Sequence, residues 1–239
     1  MRKFLIPAVA ILAVVAIEVA PTVAQTSPQT TLTVTPTVSP NKAGTKQKPQ
    51  GVKLAFKLHW ETPGDLEKPI VQSSDVFFPK GSLYNGAKYP KCTEAKLNNG
   101  GLAACPPKSI MGKGTGDAFA DTVITHPSIT VVNGGANKVF LWTILTNPAR
   151  VQKAVPGTIT KQSGKWAYKL HLTVPQALQI VAGVPIALRD LTVTSGGMSY
   201  AKDWLATTSC PATKKWPFSV TTALNTGITS TYDGTVACK

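Results

Sequence analysis

The sequence predicts an all-β protein: an antiparallel β-sandwich of about nine or ten strands with an N-terminal signal peptide. Three observations carry this reading. Two stretches alternate apolar and polar residues with period 2, the pattern of a strand with one buried and one wet face. Turn dipeptides recur between short apolar runs. Helix signals are confined to one short stretch. Many short strands separated by turns suit a sandwich.

Taken in order, "TLTVTPTVSP" reads as a first strand, weakened toward an edge position by Pro36. "NKAGTKQKP" is a long polar turn. The clearest strand is "GVKLAFKLHW", where Val52, Leu54, Phe56, Leu58 and Trp60 alternate with Lys53, Ala55, Lys57 and His59. "PIVQSSDVFFP", "TVITHPSITVV" and "KVFLWTIL" follow, the last two joined by a hairpin loop at Asn133-Gly134-Gly135. "GTITK" and "KWAYKLHLTV" form a hairpin around Ser163-Gly164, with Trp166, Tyr168, Leu170, Leu172 and Val174 on one face. "PQALQIVAG" is the helix candidate, opened by Pro175 and closed by Gly183. "PIALRDLTVT", "WPFSVTTAL" and "ITSTYDGTVAC" complete the strands. Asn85-Gly86, Asn99-Gly100 and Asp233-Gly234 mark further turns. The domain plan is a signal peptide over 1–24, a polar tether over 25–30 and one sandwich domain over 31–239.

The leader is read from "MRKFLIPAVAILAVVAIEVAPTVAQ". Arg2 and Lys3 form its positive start, and the apolar run from Phe4 to Ile17 is shorter than the roughly 20 residues that span a bilayer. Thr22-Val23-Ala24 offers a cleavage site. The alternative is an uncleaved anchor. The formal charge is +14; losing Arg2, Lys3 and Glu18 with the leader takes it to +13. That surface favours anionic partners, namely a cell-wall polymer or a membrane surface. Only Arg150 and Arg189 follow the leader among the arginines, which argues against specific nucleic-acid readout, where the guanidinium fork is the usual tool. Nothing in the sequence sets an oligomeric state.

The four cysteines, Cys92, Cys105, Cys210 and Cys238, all follow the leader. In an oxidising compartment they imply two disulfides. Three pairings are possible. Cys92–Cys105 and Cys210–Cys238 are expected, because each closes a local loop or hairpin. The close spacing that zinc prefers is absent, so no metal and no cofactor is expected.

Candidate chemistry is sparse. "GKGTG" places Gly112, Gly114 and Gly116 around Lys113 but fits neither a Walker loop nor a dinucleotide fingerprint. These glycines read as flexible backbone between the Cys105 turn and a strand. Gly197-Met198-Ser199-Tyr200-Ala201 is one residue away from a nucleophile elbow and lacks that motif's α/β context. His59, His126 and His171 read as solvent-facing structural residues. Glu61, Asp65 and Glu67 share one loop, and Asp117 and Asp121 another; a glycosidase pair or a calcium site is conceivable there, and solvated loop charge is the plainer reading. Trp60, Trp142 and Trp166 are expected in the core. Trp204 and Trp216 flank Cys210 beside Lys214 and Lys215, where they either cover a disulfide or stack on a sugar.

"SPNKAGTKQKP", "FFPKG", "YPKC…CPPKSIMGKG", "TTSCP", "WPF" and "YDGTVAC" together resemble a group of exported bacterial β-proteins, mostly uncharacterised. The resemblance implies an exported, disulfide-bearing β-sandwich. It implies no activity and carries over no catalytic residue. The expected function is a secreted or envelope-associated, non-enzymatic module that binds anionic surface polymers. The alternative is a carbohydrate-binding module or carbohydrate-active enzyme.

Overall fold

The computed structural model describes residues 30–64 and 67–239. The leader, most of the tether and Asp65 lie outside the described residues. The strands are β1 (Thr31–Ser39), β2 (Gln50–Gly51), β3 (Lys53–Glu61), β4 (Val71–Pro79) and β5 (Ser82–Tyr84). After helix α1 (Glu94–Gly100) come β6 (Ile110–Ala120), β7 (Val123–Thr125), β8 (Ser128–Asn133), β9 (Lys138–Leu145), β10 (Val151–Lys161) and β11 (Trp166–Thr173). After helix α2 (Gln176–Gln179) come β12 (Ile180–Val181), β13 (Val184–Gly196), β14 (Leu205–Thr207), β15 (Lys215–Leu224) and β16 (Thr229–Ala237).

The all-β, antiparallel reading holds; the sandwich does not. One large sheet runs β1-β3-β13-β6-β8-β9-β10-β11-β4-β15-β16, with β7 and β12 paired at its flanks. Its two end strands come to lie side by side, and the Ser230 hydroxyl donates to the Thr30 carbonyl across the seam. The sheet is therefore curled into a near-closed barrel. Alternation dictates that each strand has one buried face. It does not say whether those faces belong to two facing sheets or to one sheet wrapped on itself. Pro36 marks an edge as expected, since β1 ends the sheet at the seam.

Local irregularities do the curling. Register shifts interrupt the ladders at Leu188/Asp190, Ile110/Gly112, Trp166/Tyr168 and Ala223/Leu224. Such bulges bend and twist a strand. The three glycines of "GKGTG" lie inside β6, each directly opposite an inward residue of β13: Ser195, Val193 and Leu191. A Cβ at Gly114 would stand 2.5 Å from the Thr192 carbonyl oxygen, and one at Gly116 2.8 Å from that of Asp190. At Gly112 it would collide with the Thr194 carbonyl. These glycines let two backbones approach closely where the wall turns. They are strand residues, not a flexible lead-in.

The barrel interior, or lumen, is lined by the predicted apolar faces, including Leu54, Phe56, Leu58 and Trp60 of β3 and Tyr168, Leu170 and Leu172 of β11. At the lower end, Phe56 meets Phe78 and Phe218 edge-on at 6.3 and 5.7 Å, and a small sheet, β2-β14-β5, closes that end. At the upper end Leu178 and Val181, on the α2–β12 segment, are buried. Between the ends remains an apolar cavity of about 250 Å³. At about 24 cal/mol per Å³ of void, an unfilled space of that size costs on the order of 6 kcal/mol.

A second apolar compartment lies outside the wall. "KVFLWTIL" is apolar on both faces because β9 is covered on both sides. Phe140 and Trp142 point outward and pack with Leu97 and the Cys92–Cys105 bridge beneath a cap built around α1. Four details differ from the sequence reading. Helix α1 occupies the stretch between Cys92 and Cys105, capped by the Thr93 hydroxyl. "PQALQIVAG" is helical only over α2 and then enters β12. Asp233-Gly234 lies within β16 rather than at a turn. Trp166 leaves the core face: the bulge before Tyr168 puts it on the outer wall, where its ring centroid is 5.6 Å from that of Phe77.

Candidate functional site

Both expected disulfides form. Cys92–Cys105 has a Cα separation of 5.3 Å and Cys210–Cys238 one of 5.8 Å, within the range such bridges require. They fit an oxidising compartment.

The three histidines do face outward, but none stands alone. Each places Nδ1 on a carboxylate: His59 on Asp190 at 2.7 Å, His126 on Asp117 at 2.6 Å and His171 on Asp75 at 2.7 Å. Arg189 joins two of these pairs, donating from Nε to Asp190 at 2.6 Å and from an Nη to Asp117 at 2.9 Å. The result is one polar row, His59–Asp190–Arg189–Asp117–His126, crossing β3, β13, β6 and the β7–β8 junction. Burial alone would raise the Asp190 carboxyl; hydrogen bonds and charge from His59 and Arg189 outweigh it and hold the group below its usual range. Arg189 is pushed up, chiefly by its bond to Asp190. This grouping depends on cross-strand register, which a single strand's pattern does not contain.

His171 also places Nε2 3.2 Å from the Thr173 hydroxyl, giving a Thr-His-Asp series with Asp75. That series resembles a nucleophile, base and orienting acid. It stands on the outer wall, and none of its three side chains lines the lumen. Of the carboxylates singled out in the sequence, Glu61 ends β3 and Asp117 lies within β6. Asp117 is committed to Arg189 and His126, and Asp121 occupies a left-handed turn at φ 57°. Among the described residues, no three His, Cys, Asp or Glu side chains stand close enough to hold a metal ion.

Trp204 and Trp216 are 2% and 1% exposed, so neither offers a platform for a sugar at the surface. Trp216 packs with Cys238 and partly buried Cys210 and donates its indole N–H to the Ser209 carbonyl at 3.0 Å. Trp204 lies over Met111 and Val131 and donates to the Asn133 side-chain oxygen at 3.1 Å. Asn133 is fully buried. Its amide nitrogen also donates to the carbonyls of Gly86, Tyr89 and Pro90. One side chain thus ties the β8–β9 hairpin to the cap. Below it Asp203 is clamped by Lys88 at 3.0 Å and by the Tyr89 hydroxyl. Burial, then the bond to Asp203, pushes the Tyr89 phenol up to about 12; that bond likewise leads in holding the Asp203 carboxyl low.

Two cavities among the described residues can hold a ligand. The first is the lumen. Its polarity is the reverse of a transmembrane barrel, with apolar residues inside and exposed Lys53, Lys57 and His59 outside. The second is an open cleft of about 570 Å³ beside the Cys210–Cys238 bridge. Lys80, Lys165 and Lys215 line it with Ser209, Thr213 and Thr235, and no carboxylate is among its lining residues. Lys214 is exposed next to Lys215, in the turn closed by its N–H to the Pro211 carbonyl. Sequence reading reached Lys214 and Lys215 but missed Lys80 and Lys165. The signal was faint: the Lys80 N–H bonds to the Lys165 carbonyl, a contact between segments far apart in the chain.

No family model, no curated protein and no solved structure matches the chain. The all-β fold and the two disulfides fit the resemblance drawn from the motifs loosely; the sandwich it implies is replaced by the near-closed barrel.

Proposed function

We propose that this is an exported, non-enzymatic protein of the cell envelope that holds anionic surface polymers in the basic cleft. The observation that carries the reading is the convergence of Lys80, Lys165 and Lys215 on one cleft without a carboxylate in its lining. Lysines scattered over a surface serve solubility; lysines gathered in a concave site concentrate an anion's field. Serine and threonine hydroxyls around them supply neutral donors to phosphate or carboxylate oxygens. The Cys210–Cys238 bridge fixes one side of the cleft, so little order is lost on binding. The leader sequence and the disulfides support an exported location. The carbohydrate alternative draws less support, because both tryptophans invoked for it are buried.

The test is retention on immobilised poly(glycerol phosphate), with dextran as the neutral control. Retention should be strong at low salt and fall steadily as salt rises, because the site is open to screening. Replacing Lys80, Lys165 and Lys215 together by Gln should reduce retention at least tenfold. Replacing exposed Lys53, Lys57 and Lys113 on another part of the wall should leave most of it. Equal losses from the two triple variants would show that net charge alone is responsible and overturn the cleft. Binding only to phosphatidylglycerol vesicles would replace the polymer with a membrane surface.

A further inference from the structure

The lumen is separate from the basic cleft and has the character of a second binding site. Ordinary protein interiors leave few voids larger than a water molecule. Here about 250 Å³ remains inside an apolar wall, more than the cavity of about 150 Å³ that takes up benzene in another protein. The barrel's breadth explains the space. Eleven strands enclose more room than the eight whose side chains fill their own interior, and no described segment threads this barrel.

Two buried polar groups point to what the space accepts. Trp60 lines the cavity near its upper end and is 6% exposed; its indole N–H has no acceptor among the described residues and lies just beneath the lining surface. Thr207 lines the opposite end, also 6% exposed, and its hydroxyl is likewise unpartnered. Buried donors are nearly always satisfied. The other tryptophans the barrel buries in its lining, Trp204 and Trp216, both have carbonyl-type acceptors. No charged side chain lines the lumen, so an ionised ligand has no counter-charge there.

We propose that the lumen binds a small uncharged apolar molecule, with a single ring or a medium-length chain, that carries one carbonyl acceptor, toward which the Trp60 indole turns its N–H. Ketones, esters and lactones fit this description. Entry lies at the upper end, where Leu178 of the α2–β12 segment contributes to the lining. Ile180 of that segment and Val123 and Ile124 of the neighbouring β7 are exposed apolar residues, and backbone turns at Ala182 and Gly183 carry it back into the wall with φ of 51° and 81°.

The experiment compares acetophenone with ethylbenzene, two rings of similar shape of which only the first has an acceptor. Both are titrated against the fluorescent apolar probe N-phenyl-1-naphthylamine bound to the full chain. Both ligands should displace the probe from the unaltered protein. Trp60→Phe keeps an aromatic ring and deletes the N–H. It should weaken acetophenone about three- to tenfold, the worth of one hydrogen bond, and leave ethylbenzene unchanged. Leu141→Phe and Ile129→Phe, which fill the lumen, should each weaken both ligands. Failure of either ligand to displace the probe, or full binding by the filled variants, would overturn the site. Equal effects of Trp60→Phe on both ligands would overturn the role of Trp60. Retention on poly(glycerol phosphate) should be the same in all three variants, so this site and the basic cleft stand or fall separately.

Discussion

Strand β9 is the common wall of two apolar compartments, and they could hardly differ more. On its outer face Phe140 and Trp142 meet Leu97 and a disulfide in a buried cap. On its inner face Val139, Leu141 and Leu145 look into a cavity. Beside the cap, buried Asn133 has every donor and acceptor engaged. In the lumen, two buried polar groups have no partner among the described residues. The same residue types build both compartments. The difference lies in closure: a short disulfide-bound loop can settle onto a surface until no gap is left, whereas a ring of strands has a radius set by its backbone.

The largest effect should come from the joint between cap and barrel. Asn133→Ala strands the Trp204 N–H and three carbonyls at once and should destabilise by about 3 to 5 kcal/mol. In a domain of this size that lowers the melting temperature by roughly 10 °C, measurable by calorimetry. Opening the cap covalently comes next. The double variant Cys92→Ala, Cys105→Ala frees a loop with a sequence separation of 13, worth on the order of 3 kcal/mol in the chain-entropy description. Non-reducing peptide mapping of the unaltered protein should find only Cys92–Cys105 and Cys210–Cys238.

Overpacking sharpens the comparison further. Leu97→Phe forces extra volume into a filled site and should cost about 1 to 3 kcal/mol. Leu141→Phe places the same volume in the lumen and should stay within about 1 kcal/mol of the unaltered protein. Equal losses in urea titrations would mean that the lumen is packed as tightly as the cap.

The smallest effect concerns pH. The Tyr89 phenol, raised to about 12, favours the folded state while protonated. Its contribution is complete below the unfolded value near 10 and is lost as pH rises toward 12. The Asp203 carboxyl, depressed in the fold, contributes above its unfolded value near 4 and loses that contribution as pH falls through its folded value. Melting temperatures of Asp203→Asn and the unaltered protein should therefore differ most between about pH 4 and 10 and converge outside that window.

The same contrast explains what could be read from the sequence. Strand faces in β3 and β11 were legible because alternation is written residue by residue. The disulfides were legible because each closes a short segment. Helix α1 was hidden in "TEAKLNNGG", whose asparagines and glycines signal turns; Thr93 and the cap packing override them. The barrel itself was hidden because its cause is a set of close approaches, such as Gly114 against Thr192, between strands distant in the chain. The row from His59 to His126 and the lysines of the cleft were hidden for that reason too. Each needs a register or a neighbour that no local pattern specifies.

The seam between β1 and β16 has a consequence in time. β1 finds its first partner, β3, as a neighbour in the chain. The contact that brings its other edge to the barrel, Ser230 to Thr30, spans 200 residues. Contacts of such long separation form slowly, because the chain between must be ordered first. β1 therefore waits, half paired, for β16. Until β16 arrives, its free edge and the apolar face behind it are exposed to other chains, so the concentration of molecules still open at the seam decides whether they close or aggregate.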